Sequence, residues 1–69
     1  MKKYVVTPII RGELKKKLVK TFGTRPLANK YMGELVYKYD LQVEDEIKRD
    51  NHLVEFICDD YSRFFVGRV

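Results

Sequence analysis

The chain has 69 residues, of which 45% are hydrophobic and 35% charged, with two prolines, four glycines and one cysteine. That length suffices for one domain and not for two. The composition argues against disorder, and a single cysteine excludes a disulfide framework or a multi-thiol zinc site. The net charge of +4 is unevenly spread: residues 1–39 carry ten Lys/Arg against two Asp/Glu, and residues 40–69 carry four against eight. A chain polarised in this way can offer a basic surface to phosphates. The plainer alternative is two solvated faces, or two halves that neutralise each other on folding.

No apolar run approaches the ~20 residues that cross a bilayer. Met1-Lys2-Lys3 imitates the start of a signal peptide. However, the apolar stretch behind it, Tyr4–Ile10, is short, is interrupted by Thr7 and Pro8, and ends at Arg11. A cytoplasmic protein without a membrane partner is the expectation. Size, charge and aromatic content suit a small bacterial or phage accessory protein.

Lys3–Ile10 reads as a strand, rich in β-branched and aromatic residues. Pro8 cannot donate to a ladder, which predicts an edge strand or a bend. Glu13–Phe22 reads as a helix, because Leu14, Leu18 and Phe22 recur at a spacing of four. Gly23 then stops it, and Thr24 and Pro26 start a second short helix that carries Leu27, Ala28, Tyr31 and Met32. From Gly33 the period is ambiguous. Leu35, Tyr37, Tyr39, Leu41 and Val43 alternate with polar residues, which predicts a strand over 34–43; a helix continuing through 26–42 is the competing reading. Glu44–His52 reads as a charged loop or a single helical turn. Leu53–Cys58 and Arg63–Val69 read as strands joined in a hairpin by Asp59–Ser62.

The predicted fold class is thus α+β, a single domain over 1–69 in the order β-α-α-β-β-β, with two short helices on one face of an antiparallel sheet. The competing architecture is a helical hairpin with a C-terminal β-ribbon, resembling a winged helix-turn-helix. Val54, Phe56 and Cys58 share one side of their strand and Leu53 and Ile57 the other, while Phe64 and Phe65 point to opposite sides. A sheet that is apolar on both faces needs cover on both, and a second copy or a partner protein is a candidate for the second cover.

Catalytic chemistry finds little support. His52 and Cys58 stand about 20 Å apart on a straight strand, out of hydrogen-bond reach, and no phosphate-cradling glycine motif is present. Glu44-Asp45-Glu46 and Asp59-Asp60 lack the spacing of a calcium loop. No enzyme activity, cofactor, metal or small-molecule substrate is expected.

The basic cluster is the strongest positive signal. Arg11, Lys15, Lys16, Lys17, Lys20, Arg25, Asn29 and Lys30, with Lys2 and Lys3 nearby, form a candidate nucleic-acid surface for DNA or RNA. In a helix-turn-helix reading, Arg25, Asn29 and Lys30 would face the bases. Tyr37, Tyr39, Tyr61, Phe64 and Phe65 form a second candidate surface, suited to stacking bases or to anchoring a protein partner or a homodimer. The expectation is a small non-enzymatic binding module. A basic nucleic-acid-binding accessory or regulatory protein ranks first, and a protein-interaction module using the aromatic strands and the acidic 40–60 segment ranks second.

Overall fold

The computed structural model describes residues 3–68; Lys2, assigned above to the basic cluster, and Val69, assigned to the last strand, lie outside them. In chain order the elements are β1 (Tyr4–Ile10), β2 (Glu13–Leu14), a 3-10 turn (Lys16–Leu18), β3 (Lys20–Phe22), α1 (Arg25–Lys38), β4 (Val43–Asp50), β5 (Leu53–Cys58) and β6 (Arg63–Arg68). They make an α+β domain, in which α1 packs on one face of a six-stranded sheet ordered β2-β1-β6-β5-β4, with β3 also paired to β1. Every described pairing is antiparallel.

The predicted first helix is absent. Residues 13–22 run as strand, 3-10 turn and strand along the outer edge of β1. Ile9 and Ile10 pair with Leu14 and Glu13, and Tyr4, Val5 and Val6 pair with Phe22, Thr21 and Lys20. An isolated helix of ten residues is marginal in water, whereas this path gives the backbone of β1 partners on its second side. The spacing of four misleads because Leu14 and Val19 are exposed and only Leu18 and Phe22 pack against the core. With one described helix, neither the β-α-α-β-β-β order nor a helical hairpin stands, and the helix-turn-helix reading falls with it.

The predicted strand at 34–43 is also overturned, since α1 runs through to Lys38. Thr24 caps it as expected, its Oγ1 accepting from the Leu27 N–H at 3.4 Å. Ala28, Met32 and Leu35 form its buried stripe. Tyr37, which completes the misleading alternation, points away and is 88% exposed. The helix ends in a Schellman motif: the Leu41 N–H donates to Val36 O at 2.8 Å and the Asp40 N–H to Tyr37 O at 3.2 Å. Asp40 takes the left-handed position, φ 55°, that glycine usually fills, so no glycine marks the stop.

β4 occupies the segment expected to be a loop. Its free edge explains the composition, because charged side chains suit an edge strand. β1, β5, β6 and the β5–β6 hairpin lie where the residue pattern places them. Pro8 departs from expectation in an instructive way. β1 is an interior strand, yet Pro8 sits where its outer partners are interrupted by the 3-10 turn, between the β3 pairing at Val6 and the β2 pairing at Ile9. Its carbonyl accepts from the Lys15 N–H at 3.1 Å, so the missing N–H faces a gap in the ladder.

The core lies between α1 and one sheet face. Val6, Ile10, Cys58, Phe64 and Val66 meet Ala28, Met32 and Leu35 there. The alternation read in β5 and β6 holds, with Val54 and Phe56 registered opposite Val66 and Phe64. The other face carries Val5, Ile9, Ile47, Leu53, Ile57 and Phe65, each partly exposed, and the described residues place no second layer over it.

Candidate functional site

The cations of residues 15–38 border the β2–β3 edge and α1. The two-residue turn Arg11-Gly12, with φ of 51° and 81°, folds β2 back on β1. The chain then leaves the ladder in the 3-10 turn and returns as β3. That detour opens a groove of about 440 Å³ lined by Glu13, Leu14, Lys15, Lys16, Lys17, Leu18 and Tyr39. Tyr39, the C-cap of α1, reaches this groove because the 14-residue helix runs back across the sheet.

The groove thus joins residues that the sequence assigned to two separate surfaces. Lys15 is held by Glu13 at 3.2 Å. Lys16 and Lys17 are exposed and, among the described residues, have no carboxylate within ion-pair distance. The Lys38 Nζ lies 5.8 Å from the centre of the Tyr39 ring. The strip continues through Tyr31, whose hydroxyl donates to Leu18 O at 2.7 Å and ties the 3-10 turn to α1. The Lys20 Nζ sits 5.0 Å from the Tyr31 ring centre, and Phe22 packs against the same ring at 5.2 Å. Tyr4, paired with Phe22 in the ladder, carries Arg25 at 5.4 Å from its ring centre. Burial, followed by Tyr39 and Glu34, pushes the Tyr31 hydroxyl above its usual range, so it stays a donor at neutral pH. The result is a contiguous strip of alternating cations and tyrosines.

Of the other residues singled out, Arg11 lies at the far end of β1 in an ion pair with Asp60 at 3.2 Å. Asn29 and Lys30 are exposed on α1, but without a supporting first helix they are not the head of a recognition helix. Tyr37 and Tyr61 protrude, 88% and 83% exposed. Phe64 is a correction: it is fully buried beneath α1 and has no surface to offer a partner. Phe65 lies on the open face.

In the Asp59-Asp60 cluster both carboxylates hold backbone turns. The Asp59 carboxylate accepts from the Gln42 N–H at 3.2 Å. Bonds from Ser62, first its hydroxyl and then its backbone N–H, hold the Asp60 carboxyl below its usual range, with Arg11 adding to the effect. Among the described residues, no group of three or more His, Cys, Asp or Glu is placed to hold a metal. Burial, with help from Asp60 and Asp59, pushes the Cys58 thiol up to about 11, so at neutral pH it is a protonated core residue rather than a nucleophile. His52 is exposed at the opposite end of β5, its Nε2 3.1 Å from Arg68. No described helix is long and apolar enough to cross a membrane.

Sequence reasoning missed the Arg49–Glu55–Arg63 cluster on the open face. Glu55 is 1% exposed. Its Oε1 accepts from Arg49 Nε at 2.7 Å, and its Oε2 lies 3.5 Å from Arg63 Nε. The available signal was parity, since Glu55 occupies an outward-facing position in β5 beside two strands that each carry an arginine.

No family model, no curated protein and no solved structure matches this chain.

Proposed function

We propose that the protein is a non-enzymatic binding module that engages nucleic acid along the basic–aromatic strip, with little sequence preference. The observation that carries the reading is the groove itself, which Lys15, Lys16 and Lys17 line together with Tyr39. Cations that track phosphates supply most sequence-independent affinity, and aromatic rings set among them give unpaired bases a stacking surface. A strip of this kind favours a single strand over a duplex groove, because the one described helix lies flat on the sheet.

Fluorescence anisotropy with short labelled single- and double-stranded DNA and RNA tests it, at about 50 and 200 mM salt. Binding should be tightest to a single strand and should fall steeply with salt. Replacing Lys15, Lys16 and Lys17 together by Glu should abolish it. Absence of binding by the wild type in low salt sinks the reading.

A second reading, a protein-interaction module, has its own support in the protruding Tyr37 and Tyr61 and in the open sheet face around Phe65. A complex that survives nuclease and is lost with Tyr37→Ala or Phe65→Ser would favour it.

A further inference from the structure

β4 is the free edge of the sheet, bonded among the described residues to β5 and to no other strand. Such an edge presents a row of unpaired backbone groups to any second strand. From residue 44 its sequence reads Glu-Asp-Glu-Ile-Lys-Arg-Asp, with three acids before Ile47 and two bases after it. Between its two register shifts, at Val43/Asp45 and Lys48/Asp50, the segment Asp45–Lys48 is a regular strand.

The hydrogen bonds identify the residues that face outward. The Cys58 N–H donates to Ser62 O and the Arg68 N–H to His52 O, so the even-numbered residues of β5 turn toward β6. Glu55 and Ile57 thus turn toward their β4 partners Ile47 and Asp45, while the Glu46 N–H donates to the Asp45 carboxylate at 2.8 Å. Glu46 therefore turns its backbone groups away from the sheet, and by alternation Lys48 does the same. In an antiparallel pair, outward residues must stand opposite outward residues. That requirement limits two copies related by a two-fold axis to registers centred on a residue.

We propose that β4 pairs with β4 of a second copy in the register centred on Ile47. Glu46 then stands opposite Lys48 of the second copy, Asp45 opposite Arg49, and Ile47 opposite itself. Symmetry repeats each charged pair, which gives two opposite-charge pairs within the regular segment and two more that reach Arg49 at the register shift, around an apolar centre. The neighbouring registers do worse. Centring on Glu46 sets that carboxylate against its own copy, and centring on Lys48 sets lysine against lysine and Glu46 against Asp50. In the chosen register the only like-charge pair is Glu44 with Asp50, at the ends and beyond the regular segment. Arg49 holds Glu55 through Nε and Nη2, leaving Nη1 for Asp45 of the second copy. As Asp45 moves to that arginine, it releases the Glu46 N–H to the Lys48 carbonyl of the second copy. The two-fold axis stands perpendicular to the sheet, so both helices lie on one side and the two open faces join into a single surface. The basic strips remain at the outer ends, and the pairing does not depend on nucleic-acid binding.

Sedimentation equilibrium over a range of protein concentrations, in low and high salt, tests the pairing. The wild type should dimerise, and salt should weaken the dimer. Glu46→Lys alone and Lys48→Glu alone each set like charges across the centre and should raise the dissociation constant roughly tenfold or more. Mixing these two variants should restore a dimer. In the hybrid, the lysine introduced in one chain faces the glutamate introduced in the other, and the native Lys48 and Glu46 face each other across the axis. Ile47→Cys should cross-link under mild oxidation, as non-hydrogen-bonded antiparallel pairs bring Cα atoms within disulfide range. Both charge variants lie on the exposed edge and should keep the wild-type far-UV spectrum. A wild type that stays monomeric in low salt at every concentration overturns the proposal. So does a dimer whose strength is unmoved by either variant, or a mixture that dimerises no better than its components.

Discussion

The two faces of the sheet have the same backbone and opposite chemistry. The face under α1 is sealed: Val6, Phe64 and Val66 are fully buried, and Cys58 is nearly so. The open face is half wet, and its apolar residues surround a buried carboxylate held between two half-exposed arginines. The contrast between Phe64 and Phe65 shows that position in the register, not residue type, decides which side chains sustain the fold and which are available to partners.

The largest expected effect breaks the covered face. Phe64→Ala should cost about 3–5 kcal/mol, enough to unfold most molecules of so small a domain. Phe65→Ala should cost about 1 kcal/mol, because its ring is already partly solvated. Urea titrations of both variants check the difference, and equal costs would mean that the open face is covered in solution.

A smaller effect sharpens the reading of the open face. Arg49→Ala leaves Glu55 buried with only the more distant Arg63, and should destabilise by about 2 kcal/mol, less than a fully buried pair because the guanidinium is half exposed. Glu55→Leu should be near neutral, since both arginines can turn into water. The same denaturation series reads both, and an inverted order would show that the carboxylate is solvated.

The smallest effect lies where the sheet ends in turns. The Asp60 carboxyl is held below its ordinary value by Ser62 and Arg11. Its contribution is therefore complete above the ordinary carboxyl value of 3.8 and is lost as pH falls through the lower folded value. Asp60→Asn should flatten the acid limb of the stability–pH curve by lowering stability in the neutral region, and leave the most acidic region, where the wild-type carboxyl is already protonated, nearly unchanged. An unaltered acid limb would mean that the Ser62 bonds do not persist in solution.

Much of the strand content was readable because strands with one buried face report it by alternation. β1 follows from its β-branched and aromatic composition, and the sharing of faces in β5 and β6, with the opposed directions of Phe64 and Phe65, follows from period two. The candidate site was half legible: the lysines of 15–20 stood out, but Tyr39 was assigned to a different surface. It joins them only because Leu35–Tyr39 continue a helix that folds back over the 3-10 turn. No glycine marked the end of that helix, since Asp40 accepts the left-handed conformation in its place.

By itself, the sequence determined that there is one α+β domain, that its charge is polarised, and which residues of the last two strands share a face. These are local properties, set by composition and by the alternation of side chains along a strand. Only the tertiary structure decided the rest. Residues 13–22 pair with β1 instead of forming a helix, and Glu44–Asp50 becomes an edge strand instead of a loop. In both cases the deciding term is the backbone hydrogen bonding offered by a neighbouring strand, β1 or β5, which no local pattern of side chains records.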